Sequence, residues 1–466
     1  MRKKSMIAIA VGVVLVLLLG GALLLLNQPA AQQQSAVEEG SLLVYTTEST
    51  LTQFVSHAAG GGFTLQVSHS LEEEGAYLYA IDSFSVAVPL NRGVLAAMVS
   101  GAGELAASLR IPEPENLDQY GLNNPVRVEL FFEDGTSTML LMGGSSAEAG
   151  TVYLQASGDN LCGSPGDVYA VKLSSLERYL SKPLDLIHPT VTQVSTSGKL
   201  FATLRLSGTA WQQPVSFQVE AAGEDRWRYW ITDPLEWQVG SPEGMSALQS
   251  LFGLIATRAV AASDNAEDLL ARYFPEPYAV AQVTGTAEGD FVLCASAPDQ
   301  NGNLLLMRQG VPAVYELPAE MVPWVGAQIG ALARSVIFEG NIAELAELRV
   351  RAGNLLYEFV LEGEGDALSV TLDGTALELA DFQPLYALLT GARLDSYVAS
   401  APRLQEPARM EVTAVYRDSA ETRLTLYAGE SAGLYAALDD AAVWTMPASF
   451  AVQVEEYLKN LVNQYS

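Results

Sequence analysis

The sequence predicts an α+β fold: a β-rich body of tandem repeats, about three units of antiparallel strands with two packing helices each, after one N-terminal transmembrane helix. Three observations predict it. An unbroken apolar run occupies residues 6–26, strand-like stretches are closed by hairpin dipeptides, and one order of elements recurs three times.

The apolar run, MIAIAVGVVLVLLLGGALLLL from Met6 to Leu26, has the length a helix needs to cross a bilayer core. Arg2, Lys3 and Lys4 precede it, and basic residues stay on the cytoplasmic side, so the N-terminus is expected inside and the body outside the cell membrane. A cleaved secretory signal is the competing reading, with Ala30-Ala31 as a small-residue cleavage site. The run exceeds the roughly 7–15 residues of a signal core, which favours a retained, single-pass anchor. No cysteine follows the run to accept a lipid, and Asn27 to Gly40 is polar and reads as a tether. The expected organisation is a basic tip at 1–5, the anchor at 6–26, tether and lead-in at 27–59, and units at 60–190, 191–340 and 341–466, the last divergent.

Composition narrows the function classes. Apolar residues make up 49% of the 466 and charged residues 17%, which suits buried cores and a chain folded almost throughout. The net charge of -29 comes from 54 acidic against 25 basic residues, with no clustered Lys/Arg stripe to displace counterions, so nucleic acid is excluded as a partner. Acidity on this scale suits a solvated body held off an anionic membrane.

Turn signals at Asp134-Gly135, Asn301-Gly302 and Asp373-Gly374 supply the positive φ that tight hairpins need. Asp299, Asn301 and Asn303 resemble a calcium loop, but Leu304 stands where glycine is needed and no Glu closes the loop, so this too reads as a hairpin turn. Val, an aromatic residue and a helix start recur at Val168 (VYAVKLSSLERYL), Val314 (VYELPAEMVPWV) and Val443 (VWTMPASFAVQVEEYL), with Ser174, Pro318 and Pro447 placed to begin the helix. A second helix is expected upstream of each, over Leu90, Val94, Met98, Ala102, Leu105 and Leu109; over Met245, Leu248, Phe252, Ile255 and Ala259 after Ser241-Pro242-Glu243; and over Leu385, Leu388 and Leu389 after Asp381.

These residues carry a family resemblance. The YGL-x-x-P turn at Tyr120 to Pro125, the strand with its Asp-Gly hairpin, the Gly143-Gly144 end and the V-Y-x-V strand at Val168 resemble domain-of-unknown-function family 4340 (DUF4340). The segment from Arg226, RWRYWITDPLEWQVGSPEGMSALQS, is similar, with YFPEP at Tyr273 in place of YGL-x-x-P, whereas the third unit reads LQEPARM and keeps only the order of elements. The resemblance implies an N-terminal anchor and association with ABC-type export systems. It implies no catalysis and transfers no functional residue.

Searches for reactive arrangements return little. GGSSA at Gly143 and GSPG at Gly163 fail the nucleophile-elbow pattern, Gly198-Lys199 is followed by Leu200 instead of Ser or Thr, and no HExxH occurs. His57, His69 and His188 read as structural or exposed, and abundant acidic pairs do not make a glycosidase cleft. Cys162 and Cys294, far apart in sequence and outside any CxxC pair, leave zinc and redox chemistry unsupported; a disulfide and two separate thiols both remain open. No catalytic, cofactor or metal site is expected. One concentration stands out: Trp211, Trp227, Trp230 and Trp237, with Tyr229 beside them, place four of six tryptophans in one short segment. Exposed rings would serve a ligand or partner surface, while the alternation of Trp227 and Tyr229 fits packing on one strand face. The leading expectation is a non-enzymatic accessory or scaffold protein bound to transporter subunits or a cell-envelope component. The alternative is a ligand- or glycan-binding module using the Trp211 to Trp237 segment.

Overall fold

A computed structural model describes residues 42–465 apart from 59–60, 72–74, 85–86, 147–149, 225, 339, 399–401, 403, 405, 430–432 and 440–441. The predicted membrane segment at 6–26 and its tether lie outside the described residues. Among the described residues no helix is long and apolar enough to cross a membrane.

Alternating side chains put far more of the described chain into strands than into helices. In Val126–Phe132, Val128, Leu130 and Phe132 are buried while the residues between them are not, the period-2 signature of a half-buried strand. Described strands form four antiparallel sheets, and the chain divides into two compact units.

One unit comprises the described residues up to Gly62 together with Ala97–Leu180. Its main run of strands is Leu51–His57, Val126–Phe132, Ser137–Ser146, Thr151–Gly158, Val168–Lys172 and Leu109–Ile111, in that spatial order; Leu42–Thr46 and Glu104–Ala107 pair separately. The YGL turn is fixed by close backbone approach. Gly121 has φ +69°, and a Cβ there would lie 2.5 Å from the Gly144 nitrogen, while one on Gly143 would lie 2.4 Å from the Tyr120 oxygen. Only glycine tolerates both demands. The two motifs of the family resemblance therefore meet in space.

The other unit comprises Phe63–Ala96 and Ser181 onward. It holds the hairpin Phe63–His69/Tyr77–Ile81 and two large sheets. The middle sheet runs Trp237–Gln238, Trp227–Asp233, Val215–Ala221, Thr203–Ser207, Ala279–Thr284, Phe291–Ala295, Asn303–Arg308, Ala313–Pro318 and Arg258–Ala262. The C-terminal sheet runs Thr375–Leu377, Ser369–Leu372, Leu355–Glu362, Leu345–Ala352, Met410–Tyr416, Glu421–Ala428, Leu434–Leu438 and Ala442–Met446. One continuous core joins these two sheets, from Phe217 and Ile231 through Trp324 and Phe338 to Phe359, Phe382 and Trp444.

Seven α-helices occur among the described residues: α1 Arg92–Ser100, α2 Leu173–Leu176, α3 Pro242–Gln249, α4 Ala266–Tyr273, α5 Ile329–Leu332, α6 Leu379–Gly391 and α7 Ala448–Tyr465. They correct the expected plan of tandem units with two packing helices each. At the first landmark the chain makes one turn of α2 and a short 3-10 turn, then becomes extended at Lys182 before Pro183. At the second, a three-residue 3-10 turn ends at Val322, which precedes Pro323. A residue before proline is pushed out of the helical region. Only the third landmark, with no proline after Pro447 at its start, grows into a full helix, the 18 residues of α7. The upstream expectations overran as well: α1 stops before the glycines at 101 and 103, so Leu105 and Leu109 lie in strands, and α3 stops at Gln249, so Ala259 also lies in a strand. The fold is β-rich; repeats built with paired helices are not what it shows.

α6 and α7 pack on each other and share the core of the C-terminal sheet. Asp381 does not begin α6, which is preceded by Glu378. Its carboxylate instead accepts from Tyr465 at 2.6 Å and Gln464 at 2.9 Å, and its carbonyl accepts from Tyr457 at 2.6 Å, fastening the end of the chain. Phe382, fully buried, sits 5.1 Å from the Phe359 ring. Replacing Phe382 with Ala is expected to cost about 3–5 kcal/mol in urea unfolding, the usual effect of emptying a large aromatic site.

Candidate functional site

The seam between the middle and C-terminal sheets holds a pocket of about 600 Å³, within the roughly 300–1,000 Å³ of small-molecule sites. Three chain segments build it. The first is the loop after Thr203–Ser207. Gly208 has φ +112°, and a Cβ there would fall 2.5 Å from the Tyr278 oxygen; the amides of Thr209 and Ala210 then donate to the carbonyls of Pro277 and Tyr278 at 3.2 and 2.8 Å. The YFPEP segment thus backs the loop that presents Trp211, Gln212 and Gln213.

The second segment is α5. Ser241 caps α3 by accepting from the Gly244 amide at 2.8 Å, and the same hydroxyl donates to the Ala331 carbonyl at 2.6 Å, so α5 is pinned where Gln328, Ile329 and Gly330 line the pocket. The third segment, Asp395 to Val398, lies along Ala442–Met446. Asp395 and Val398 donate to the carbonyls of Thr445 and Val443, each at 2.9 Å, and Thr445 donates to the Ser396 carbonyl at 2.8 Å. This added edge presents Asp395, Ser396, Tyr397 and the Thr445 side chain.

Polar groups in this lining are left available. The amides of Gln212 and Gln213, the Asp395 carboxylate and the hydroxyls of Ser396 and Tyr397 make no side-chain hydrogen bond among the described residues. Trp211 is only 9% exposed, and its Nε1–H has no partner among the described residues, a deficit of about 1–3 kcal/mol for a buried donor.

Behind the pocket runs an aromatic ladder. Tyr397 packs edge-on to Trp444 with centroids 5.5 Å apart, and Trp444 meets Trp237 at 5.1 Å. Trp237 donates from Nε1 to the Arg334 carbonyl at 2.9 Å and lines a second, smaller groove of about 240 Å³ with Trp230, Gln238, Arg334, Leu438 and Asp439.

The predicted aromatic cluster is thus divided. Trp211 lines the large pocket, and Trp230 and Trp237 line the groove. Tyr229 is buried, its hydroxyl accepts from the Leu200 amide at 2.9 Å, and burial pushes its phenol up. Trp227 stands apart at the strand end, 36% exposed, with the Lys199 ammonium 5.7 Å from its ring centroid. Gln212 and Gln213 were adjacent to Trp211 in sequence and carried no signal of their own; Tyr397 and Trp444 come from a distant part of the chain, beyond the reach of local pattern.

The other candidates have local roles. His57 bonds Glu129 at 2.9 Å, His69 packs on Tyr77, and His188 accepts from the Thr190 amide. Cys162 is exposed and Cys294 buried, both as free thiols, and burial raises the Cys294 thiol pKa. The Asp299 carboxylate accepts from the amides of Asn301 and Asn303, which makes it a turn-forming group. No cluster of metal-ligating side chains occurs among the described residues.

Residues 85–227 match the model of a family described as Domain of unknown function (DUF4340). The chain carries a DUF4340 domain. The DUF4340 match takes in the YGL turn, the Gly143-Gly144 contact and the Trp211 to Gln213 loop, whereas α5, Tyr397 and Trp444 lie beyond it. No curated protein and no solved structure matches the chain.

Gly330 is the tightest point of the pocket wall: a Cβ there would lie 2.9 Å from the Asp395 oxygen and 3.3 Å from the Ser396 Cα. Replacing Gly330 with Ala is expected to push the 395–398 edge outward, costing about 1–3 kcal/mol and shifting tryptophan emission through the Tyr397–Trp444 contact.

Proposed function

We propose that this protein is a membrane-anchored, extracytoplasmic accessory protein that works by binding, with the Trp211 pocket as its ligand site. The observation that carries the binding role is the pocket itself: a sizeable concavity where an aromatic ring meets two amides, a carboxylate and hydroxyls whose side chains make no hydrogen bond among the described residues. Ligand sites combine apolar walls with a few convergent polar groups in this way. Support for the anchor is the order of basic residues and then an apolar run at residues 2–26.

A scaffold role toward subunits of an export or cell-envelope complex is the second reading. It is favoured by Leu355, Leu356 and Val360, which are 61%, 47% and 38% exposed on one strand of the C-terminal sheet. Leu356 and Val360 share the outward face of that strand, whose other face buries Phe359 and Leu361, and exposed apolar side chains on a sheet face suit contact with a partner. The two readings are compatible, since a tethered binding module can deliver its ligand to a neighbouring complex.

Two measurements test the proposal. In a thermal-shift screen of the detergent-solubilised full chain against saccharides, amino acids, dipeptides and nucleosides, at least one class is expected to raise the melting temperature. Ser396→Trp, which fills the pocket, is expected to remove that shift; a shift that survives the filled pocket, or none in any class, sinks the binding role. For topology, protease added outside intact cells whose outer barriers are permeable to it is expected to digest the body. Digestion only after lysis would reverse the placement.

A further inference from the structure

The chemistry of the pocket lining selects among ligand classes. We infer that the Trp211 pocket takes an uncharged saccharide, an inference that rests on the binding role proposed above.

Charge comes first. Among the described lining residues Asp395 is the only ionisable carboxylate, and none is Lys, Arg or His. A phosphate, sulfate or carboxylate on the ligand would meet a like charge with no cation to offset it, within a chain of net charge -29. Anionic ligands are disfavoured on both scales.

Polarity comes second. An apolar ligand would cover Gln212, Gln213, Ser396 and Asp395 without bonding them, at about 1–3 kcal/mol for each buried group left unpaired. A sugar hydroxyl is both donor and acceptor, and so is the lining: each Gln amide offers both functions, Ser396 and Thr445 offer hydroxyls, and a carboxylate accepts from two neighbouring hydroxyls at once.

Shape comes third. A pyranose has an apolar C–H face and a polar rim, and its face needs a flat apolar partner. Trp211 and Tyr397 bring two aromatic rings to the lining from different segments, and each is held from behind: Trp211 by the core, Tyr397 by Trp444. Rings immobilised in advance lose little entropy on binding. The unpartnered Trp211 Nε1–H adds a donor at the edge of this wall.

The test uses the detergent-solubilised full chain and calorimetric titration with methyl glucoside, maltose, cellobiose and the disaccharide of N-acetylglucosamine. Glucosamine, glucuronate, glucose 6-phosphate and a dipeptide serve as comparators. At least one uncharged sugar is expected to bind, with its affinity reduced about tenfold, the size of one lost polar contact, by Gln213→Ala and by Asp395→Asn. Trp227→Ala, far from the pocket lining, is expected to leave it unchanged. Gln213 is half-buried in a loop and outside the hydrophobic core, so its loss tests the site without emptying the core, as Trp211→Ala would.

Binding confined to glucuronate or glucose 6-phosphate, or to glucosamine with loss at moderate salt, overturns the uncharged class. A dipeptide bound in place of sugars, and weakened by Gln213→Ala, overturns the saccharide class while leaving the pocket a ligand site. Sugar binding untouched by Gln213→Ala and Asp395→Asn moves the site elsewhere and overturns the assignment. If no probe binds and the filled Ser396→Trp variant behaves as the native chain in the thermal screen, the binding role falls as well.

Discussion

Trp444 carries two rings against its own, Trp237 from the edge of the middle sheet at 5.1 Å and Tyr397 at 5.5 Å, and this stack sets the seam on which both concavities depend. Its indole is 1% exposed, and Nε1–H has no partner. The balance still favours burial. A buried aromatic of about 150–250 Å² contributes roughly 4–6 kcal/mol at about 25 cal/mol per Å², against about 1–3 kcal/mol for the unmade hydrogen bond. The cost is tolerated because a smaller residue would release both neighbours at once. Tyr397 then could not hold its place in the large pocket, nor Trp237 in the groove.

The rest of the seam follows from pieces that leave little freedom. Ser241 serves two bonds with one hydroxyl, capping α3 and gripping α5. Gly330 lets α5 approach the 395–398 edge to a separation no side chain would allow. Gly208 turns the chain so that Trp211 leaves the sheet and faces the seam. Each is a backbone constraint applied at one residue. Together they place side chains from three remote segments around a single volume, and a site built on such fixed elements is more precise than one on free loops.

Strand content was legible in the sequence because alternation is a local property, and hairpin dipeptides such as Asp134-Gly135 mark where it reverses. Helix length was not. Apolar residues three and four apart continue past Ser100 into Leu105 and Leu109, yet the glycines at 101 and 103 break the helix, and both residues lie in strands, Leu105 buried and Leu109 half-buried. Pro323 stops the helix expected at the second landmark, and greater weight on the residue before it would have shortened that expectation. The aromatic segment shows a related limit. Trp227, Tyr229 and Ile231 share one strand face, so Trp230 between them must point to the other, and Trp211 sits in a loop before the next strand. Closeness along the chain therefore did not become closeness in space, and the partners that do complete the pocket, Tyr397 and Thr445, are beyond any local pattern.

The motifs that identify a DUF4340 domain are fixed by packing, and this bears on what the domain can encode. Gly121 is required by the close approach of Gly144 and Gly143 by that of the Tyr120 carbonyl, so their presence specifies a turn on a sheet. The pocket divides differently: Trp211, Gln212 and Gln213 fall inside the matched residues 85–227, while Gln328, Asp395, Ser396, Tyr397 and Thr445 fall outside them. A ligand held by both groups would be recognised by a combination that the matched domain alone does not contain. The family match therefore speaks to the fold of residues 85–227 and not to what the pocket would hold, since fold and ligand are separate questions.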